Sequence, residues 1–210
     1  MPIAIRNLGL TDYEPVWRDM QAFTDRRDAD TPDEIWFTEH QPVFTLGVNA
    51  NRAHLLAPGD IPVVQIDRGG QVTYHGPGQL MIYPLLDLRR AGIGVRLLVT
   101  ALEQSAVALA REFGIAAASR CDAPGVYADG VKFASVGLRI RRGASFHGMA
   151  LNVSMDLEPF GRINPCGFTD LAVTDLATLG ADTDLADARE RLARAFLEQL
   201  GLEDRAVTAA

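Results

Sequence analysis

Gly125-Val126-Tyr127-Ala128-Asp129-Gly130-Val131-Lys132-Phe133-Ala134-Ser135-Val136-Gly137-Leu138-Arg139-Ile140 consists of two β-rich runs around one Asp-Gly pair. Asp-Gly accepts the positive φ angles of a two-residue hairpin turn, so the runs predict neighbouring antiparallel strands. A sheet built on such a hairpin is not the all-parallel sheet of a dinucleotide-binding fold. No G-x-G-x-x-G opens a helix after a strand anywhere in the chain. Working outward, further strands are expected at 145–153, 79–86, 34–40, 43–46 and 3–8, with a β-rich run at 61–67 that ends at Gly69-Gly70. Tyr13, Val16, Trp17, Met20 and Phe23 recur at helical spacing after Thr11, a plausible N-cap. Leu98, Ala101, Leu102, Ser105 and Leu109 mark a long helix over 95–113 that stops at Gly114. Leu185, Ala188, Leu192, Ala195 and Phe196 mark another over 184–200. The fold class is α/β (α+β): one domain, 1–210, with a mixed β-sheet flanked by helices and most strands linked as hairpins.

Composition narrows the function classes. With 210 residues, 48% hydrophobic and 22% charged, the chain can bury a core without a metal or disulfide staple. No apolar run reaches the ~20 residues of a membrane helix. The start, Met1-Pro2-Ile3-Ala4-Ile5-Arg6, shows no basic leader, so the cytoplasm is the expected compartment. A net charge of −7 disfavours non-specific binding to nucleic acid or anionic lipid. Two cysteines, Cys121 and Cys166, are too few for a disulfide framework and are expected as thiols. Of the 20 basic residues all but one are arginine. The exception, Lys132, is the only cation able to lose its proton near neutrality.

Four segments concentrate chemistry. Arg68 to Gln79 interleaves four glycines with Arg, Gln, Thr, Tyr and His, a lining rich in donors for a ligand carbonyl. No Gly-Lys-Ser/Thr follows, which excludes a P-loop. On the hairpin, Arg139 and Arg141 point to water, leaving Lys132 on the face of Ala134, Val136, Leu138 and Ile140 unless Gly137 bulges. Burial there disfavours an ammonium and suits a base, whereas an edge position would let the side chain snorkel to water. In Asn164-Pro165-Cys166-Gly167-Phe168 a cysteine framed by proline and glycine is presented rather than packed, and the following amides could form an oxyanion hole. Cys121 has no such frame and reads as structural. In Phe146-His147-Gly148-Met149-Ala150-Leu151-Asn152, His147 reads as structural at least as readily as catalytic, and His75 has the better functional case. The histidines show no metal-ligand spacing, so no metal site is expected.

Together these segments resemble the lipoyl (octanoyl) transferases of lipoate biosynthesis. The family's R-G-G-x-x-T-aromatic-H-x-x-G-Q-x-x-x-Y runs here from Arg68 through Gln79 to Tyr83. Gly125-Val126-Tyr127, then Lys132-Phe133-Ala134-Ser135-Val136-Gly137, then His147-Gly148-Met149-Ala150-Leu151-Asn152 and Pro165-Cys166-Gly167 follow in the family's order, and Glu39-His40 to Gly47 fits an earlier motif. The resemblance covers about residues 30–180. Phe133 departs from it, standing where a small aliphatic is usual, and could reshape the pocket wall. The resemblance implies the catalytic domain shared with biotin and lipoate protein ligases. It further implies transfer of an octanoyl group from acyl carrier protein to a lysine of lipoyl domains, those of 2-oxoacid dehydrogenases and of the glycine-cleavage H protein. Cys166 would be the nucleophile and Lys132 its acid–base partner, with no cofactor. Arg68, Gly69, Gly70, Gln71, Val72, Thr73, Tyr74 and His75, with Ser135, Val136, Gly137, Gly148, Met149 and Ala150, would line the acyl site.

Residue chemistry is consistent with that reading, since thioester donor and thiol nucleophile exchange without ATP and the incoming amine must lose a proton. The donor and acceptor are acidic, so docking calls for a local basic patch, and Arg139, Arg141, Arg142 and Arg68 are the candidates. Two other readings stay open: an ATP-dependent lipoate or biotin ligase, which needs no cysteine, and a non-catalytic acyl-binding module of the same fold. A cysteine hydrolase fits less well, because it needs a base to position water and has no use for a protein acceptor.

Overall fold

The computed structural model describes residues 2–120, 123–169 and 171–208, with the backbone alone for Cys166 and Thr208. Cys121 lies outside the described residues. The elements follow in the order β1 Ile3–Thr11, α1 Tyr13–Arg26, β2 Asp33–His40, β3 Val43–Leu46, β4 Val63–Gln65, β5 Val72–His75, β6 Gln79–Leu85, α2 Leu88–Ala91, α3 Val95–Glu112, β7 Ala117–Ser119, β8 Val126–Ala128, β9 Val131–Arg141, β10 Ala144–Asn152, α4 Leu185–Leu200 and β11 Ala206–Thr208. Eight strands form one mixed sheet in the order β11-β1-β2-β6-β10-β9-β8-β7, and β4-β3-β5 form a second, small one. Among the described residues no helix is long and apolar enough to cross a membrane.

Strand alternation explains how the large sheet is covered on both faces. On β6, Leu80 and Ile82 face α3 and α4, joining Leu98, Leu102, Leu192 and Phe196 in the main core. Met81, Tyr83 and Leu85 face the other way, onto Val16, Met20 and Phe23 of α1. A strand buried on both faces needs apolar residues on both, and β6 carries them from Leu80 to Leu85 with Tyr83 as the one polar-tipped member. The Asp129-Gly130 turn joins β8 to β9 with both residues at positive φ, 49° and 80°. A second such turn, Arg142 (φ 53°) with Gly143 (φ 87°), joins β9 to β10.

Several expectations are corrected. Thr11 is the last residue of β1, where its hydroxyl bonds Thr38 and His40. Asp12 stands at the helix N-cap without a side-chain cap bond. Hairpins join β7 to β10, but β1 runs parallel to both β2 and β11, and β3 parallel to β4. The run at 61–67 shortens to β4. Gly137 is no bulge, since β9 and β10 stay in register through Gly148 opposite Gly137. The irregularity lies instead between β8 and β9, where Val126 pairs Ala134 and Tyr127 pairs Lys132, leaving Phe133 as the extra residue. Phe133 is wholly buried in the main core and does not line the cleft described below.

Candidate active site

The cleft opens on the α1 side of the large sheet, over its β10–β9 portion, with the 68–75 segment as its far wall. Its floor is carved out by small residues. Gly148 stands opposite Gly137, and Ala150 opposite Ser135. A Cβ on Gly148 would run into the Ile82 carbonyl, and one on Gly137 would press on the Arg68 side chain. The cleft encloses about 490 Å³, counting the space open at its mouth.

From 68–75, all residues except Gly69 and Tyr74 line it. Ser135, Val136 and Gly137 line it too, as do Gly148 and Ala150. Gly69 instead donates its amide to the Leu138 carbonyl. Tyr74 packs on Phe44 and Phe160, and Met149 faces the main core. Four lining residues were not among the expected acyl-site residues: Tyr13, Met81, Tyr83, which closes the Arg68 motif, and His147, which the sequence offered as structural or catalytic. Tyr13 and Met81 carry only the signal of core periodicity. His147 is turned into the cleft by a left-handed backbone (φ 57°), a conformation its place in a strand pattern conceals.

Two hydrogen-bonded chains fix the polar side chains. Asp67 accepts from Trp17 Nε1 at 2.7 Å, Gln21 Nε2 at 3.1 Å and His147 Nε2 at 2.9 Å. Burial opposes its charge, but the three donors outweigh it and hold the carboxyl well below the usual carboxylate range. An ionised carboxylate only accepts, so His147 carries its proton on Nε2. Burial, partly offset by Asp67, keeps His147 below its ordinary value. Its Nδ1 is then an acceptor, 3.5 Å from the Tyr13 hydroxyl. Nearby, the Tyr83 hydroxyl meets His40 Nε2 at 2.7 Å, and burial pushes His40 down to about 4.

In the second chain, Arg68, 8% exposed, gives Nη2–H to the Thr45 carbonyl and hydroxyl. The Thr45 hydroxyl then donates to His75 Nε2 at 3.2 Å, and His75 Nδ1–H donates to Gln79 Oε1 at 2.7 Å. Burial first, then the neighbouring His40 and Arg68, hold His75 well below its ordinary value. Gln79 Nε2 continues to Asn152 Oδ1, and Asn152 Nδ2 to the Thr174 carbonyl. Arg68 is therefore a buried component of the wall and not part of a surface patch.

Lys132 is 1% exposed. Its Nζ donates to the Pro124 carbonyl at 2.8 Å and lies 5.4 Å from the centre of the Tyr127 ring. Gly125 (φ 135°) makes room, since a Cβ there would meet the lysine side chain. Glu103, on α3, accepts from the Gly125 amide, and burial raises its carboxyl despite that bond and the Lys132 charge. The Lys132 main chain pairs with Ala172 and Thr174, so the segment that leaves the Cys166 turn returns alongside the lysine. Cys166 itself sits in a 3-10 turn, Pro165–Gly167, with its side chain outside the described atoms. The turn is pinned by Asn164 N donating to the His54 carbonyl at 2.8 Å, and Gln71 and His54 flank Gly167. The Gly167 and Phe168 amides already donate to the Asn164 and Pro165 carbonyls, so the expected oxyanion hole from them is not formed. Arg139 and Arg142 are exposed, and Arg141 pairs with Asp25 at 3.1 Å.

The chain matches the lipoyl protein ligase A/B catalytic domain over residues 12–197. It is 57% identical over 199 residues to an octanoyltransferase of Shewanella amazonensis, covering 95% of this chain and 92% of that one. Among solved structures, lipoate-protein ligase A bound with ATP superposes with a TM-score of 0.80 at 16% identity, covering 100% of this chain and 90% of that one. A biotin protein ligase from Aquifex aeolicus superposes at 0.56 and 14% identity, covering 99% and 78%. The two structures share the fold, as the resemblance implied, and its mixed sheet is flanked by helices. With a match running nearly end to end, the chain belongs to the octanoyltransferase family within the lipoyl protein ligase A/B catalytic domain.

Proposed function

We propose that the protein takes an octanoyl group from octanoyl-acyl carrier protein in the cytoplasm and delivers it to a lysine of a lipoyl domain, through a thioester on Cys166. In the first step the Cys166 thiol gives its proton to Lys132 and the sulfur attacks the donor carbonyl. The carbon–sulfur bond to the carrier breaks, and the departing thiolate takes the proton from Lys132. In the second step the acceptor amine attacks the acyl-Cys166 carbonyl, Lys132 receives the amine's proton, and the Cys166 thiolate leaves as the amide forms. The donor is already a thioester, so no adenylate is needed. One observation carries this reading: the chain's single lysine is buried, and its strand is paired with the segment that follows the Cys166 turn. The cleft is the proposed acyl site, with Arg68, residues 70–73, His75, residues 135–137, Gly148 and Ala150 against the chain.

Intact mass after mixing with octanoyl-acyl carrier protein, without ATP, tests it. One octanoyl group mapping to Cys166 and discharged by an apo lipoyl domain is the expected result, with no adduct in Cys166→Ser. A requirement for octanoate and ATP instead would establish a ligase. Exposed Arg139 and Arg142 are the proposed contacts for the acidic carrier; Arg142 donates to the Asp25 main-chain carbonyl at 3.3 Å, while Arg141 pairs with the Asp25 carboxylate. Reversing Arg139 and Arg142 to glutamate should lower use of the carrier-bound donor about tenfold and leave a small octanoyl thioester unaffected. Equal loss on both donors would remove those arginines from docking.

A further inference from the structure

Resting on that reading, we infer that Met81 sets the length of acyl chain the cleft accepts. Ser135 on β9, Ala150 on β10, Met81 on β6 and Thr38 on β2 stand in one row across the sheet. Along that row the side chains stay small at Ser135 and Ala150 and become tall only at the Met81 thioether. The neighbouring row, Gly137 opposite Gly148, has no side chains at all. A groove therefore runs over β9 and β10 and meets its first tall side chains at β6, which contributes Met81 and Tyr83 to the cleft.

These two close the groove differently. The Tyr83 hydroxyl is tied to His40, and the polar atoms of Arg68, His75 and His147 lie around the cleft beside it. Met81 ends in an apolar thioether and belongs to the same buried cluster as Val16, Met20 and Phe23 of α1. The terminal methyl of an acyl chain has no polar group to satisfy and stops against the thioether. The opposite end of the groove is fixed by Gln71, which lines the cleft and abuts Gly167, next to the nucleophile. Met81 stands two strand spacings from β9, about 10 Å, a span that a medium-length acyl chain fills. Methionine is also unbranched and adaptable, a stop that yields to volume changes in the wall.

The test is a competition. Wild type and Met81→Ala are each given an equal mixture of hexanoyl-, octanoyl- and decanoyl-acyl carrier protein, and the masses of acyl-Cys166 are compared within one sample. A ratio measured in one tube does not depend on how much variant is folded. Met81→Ala should raise decanoyl over octanoyl about tenfold, the value of two extra buried methylenes. Met81→Phe should raise hexanoyl over octanoyl, and the volume-conserving Met81→Leu should move neither ratio more than about threefold. Unchanged ratios in Met81→Ala and Met81→Phe would overturn the role of Met81 and leave octanoyl transfer standing. Wild type that takes no acyl group from any carrier would overturn the transferase reading, and this one with it.

Discussion

His147 holds a left-handed backbone that costs a non-glycine residue on the order of 1 kcal/mol or more, and it does so beside the cleft. What holds it is Asp67, whose carboxylate also binds Trp17 and Gln21 of α1 and so ties the helix to β10 through a single side chain. Asp67→Asn removes the charge and leaves one oxygen to serve three donors. The expected outcome is a stability loss of about 1–3 kcal/mol, measured by urea unfolding. In the native protein, ¹⁵N spectra of His147 should show the proton on Nε2, and in the variant that preference should weaken. An Asp67→Asn protein with native stability and an unchanged His147 spectrum would show that the backbone is held by packing alone.

Among the elements, those whose signals are local were readable in the sequence. The Asp129-Gly130 turn, α3 and α4 declare themselves through turn chemistry and helical spacing within a few residues. Elements defined by distant partners did not. β5 sets Thr73 and His75 toward the cleft and Tyr74 in the small core, with Val72 touching both, but the glycines on either side conceal the strand. The parallel pairing of β1 with β2 leaves no turn to find, and so Thr11 looked like a cap. The site divides the same way: its 68–75 wall was legible as a cluster of unusual residues, whereas Tyr13 and Met81 look like any core positions. Gly148 was flagged only by resemblance, yet its reason is steric. β10 crosses β6 so closely there that Gly148→Ala would drive a methyl into the Ile82 carbonyl. The variant should lose about 1–3 kcal/mol and with it the register of the cleft floor. A thermal midpoint equal to wild type would mean that β10 can shift at no cost.

At the scale of the whole molecule, the polar cleft couples stability to pH. His40, His75 and His147 are all held below their ordinary value of 6.5, chiefly by burial, and His40 lies at about 4. In the unfolded chain each regains that ordinary value. Between about pH 6.5 and 4 the unfolded state therefore binds protons that the folded state does not, and stability falls as the solution is acidified. Each histidine that stays neutral contributes a slope of up to about 1.4 kcal/mol per pH unit in that window. Asp67 does not mask the effect. Its folded carboxyl titrates below the unfolded one, so its stabilisation is present above the ordinary carboxylate value and is lost only in stronger acid. Charge repulsion works weakly the other way, since acidification reduces the net charge of −7. Urea midpoints at pH 7.5, 6.0 and 5.0 should therefore decline, with most of the drop below pH 6.5. His40→Gln, which keeps a side chain able to bond the Tyr83 hydroxyl but cannot titrate, should flatten part of that decline. Midpoints that stay level from pH 7.5 to 5.0 would mean that the three histidines keep their ordinary protonation in the folded protein.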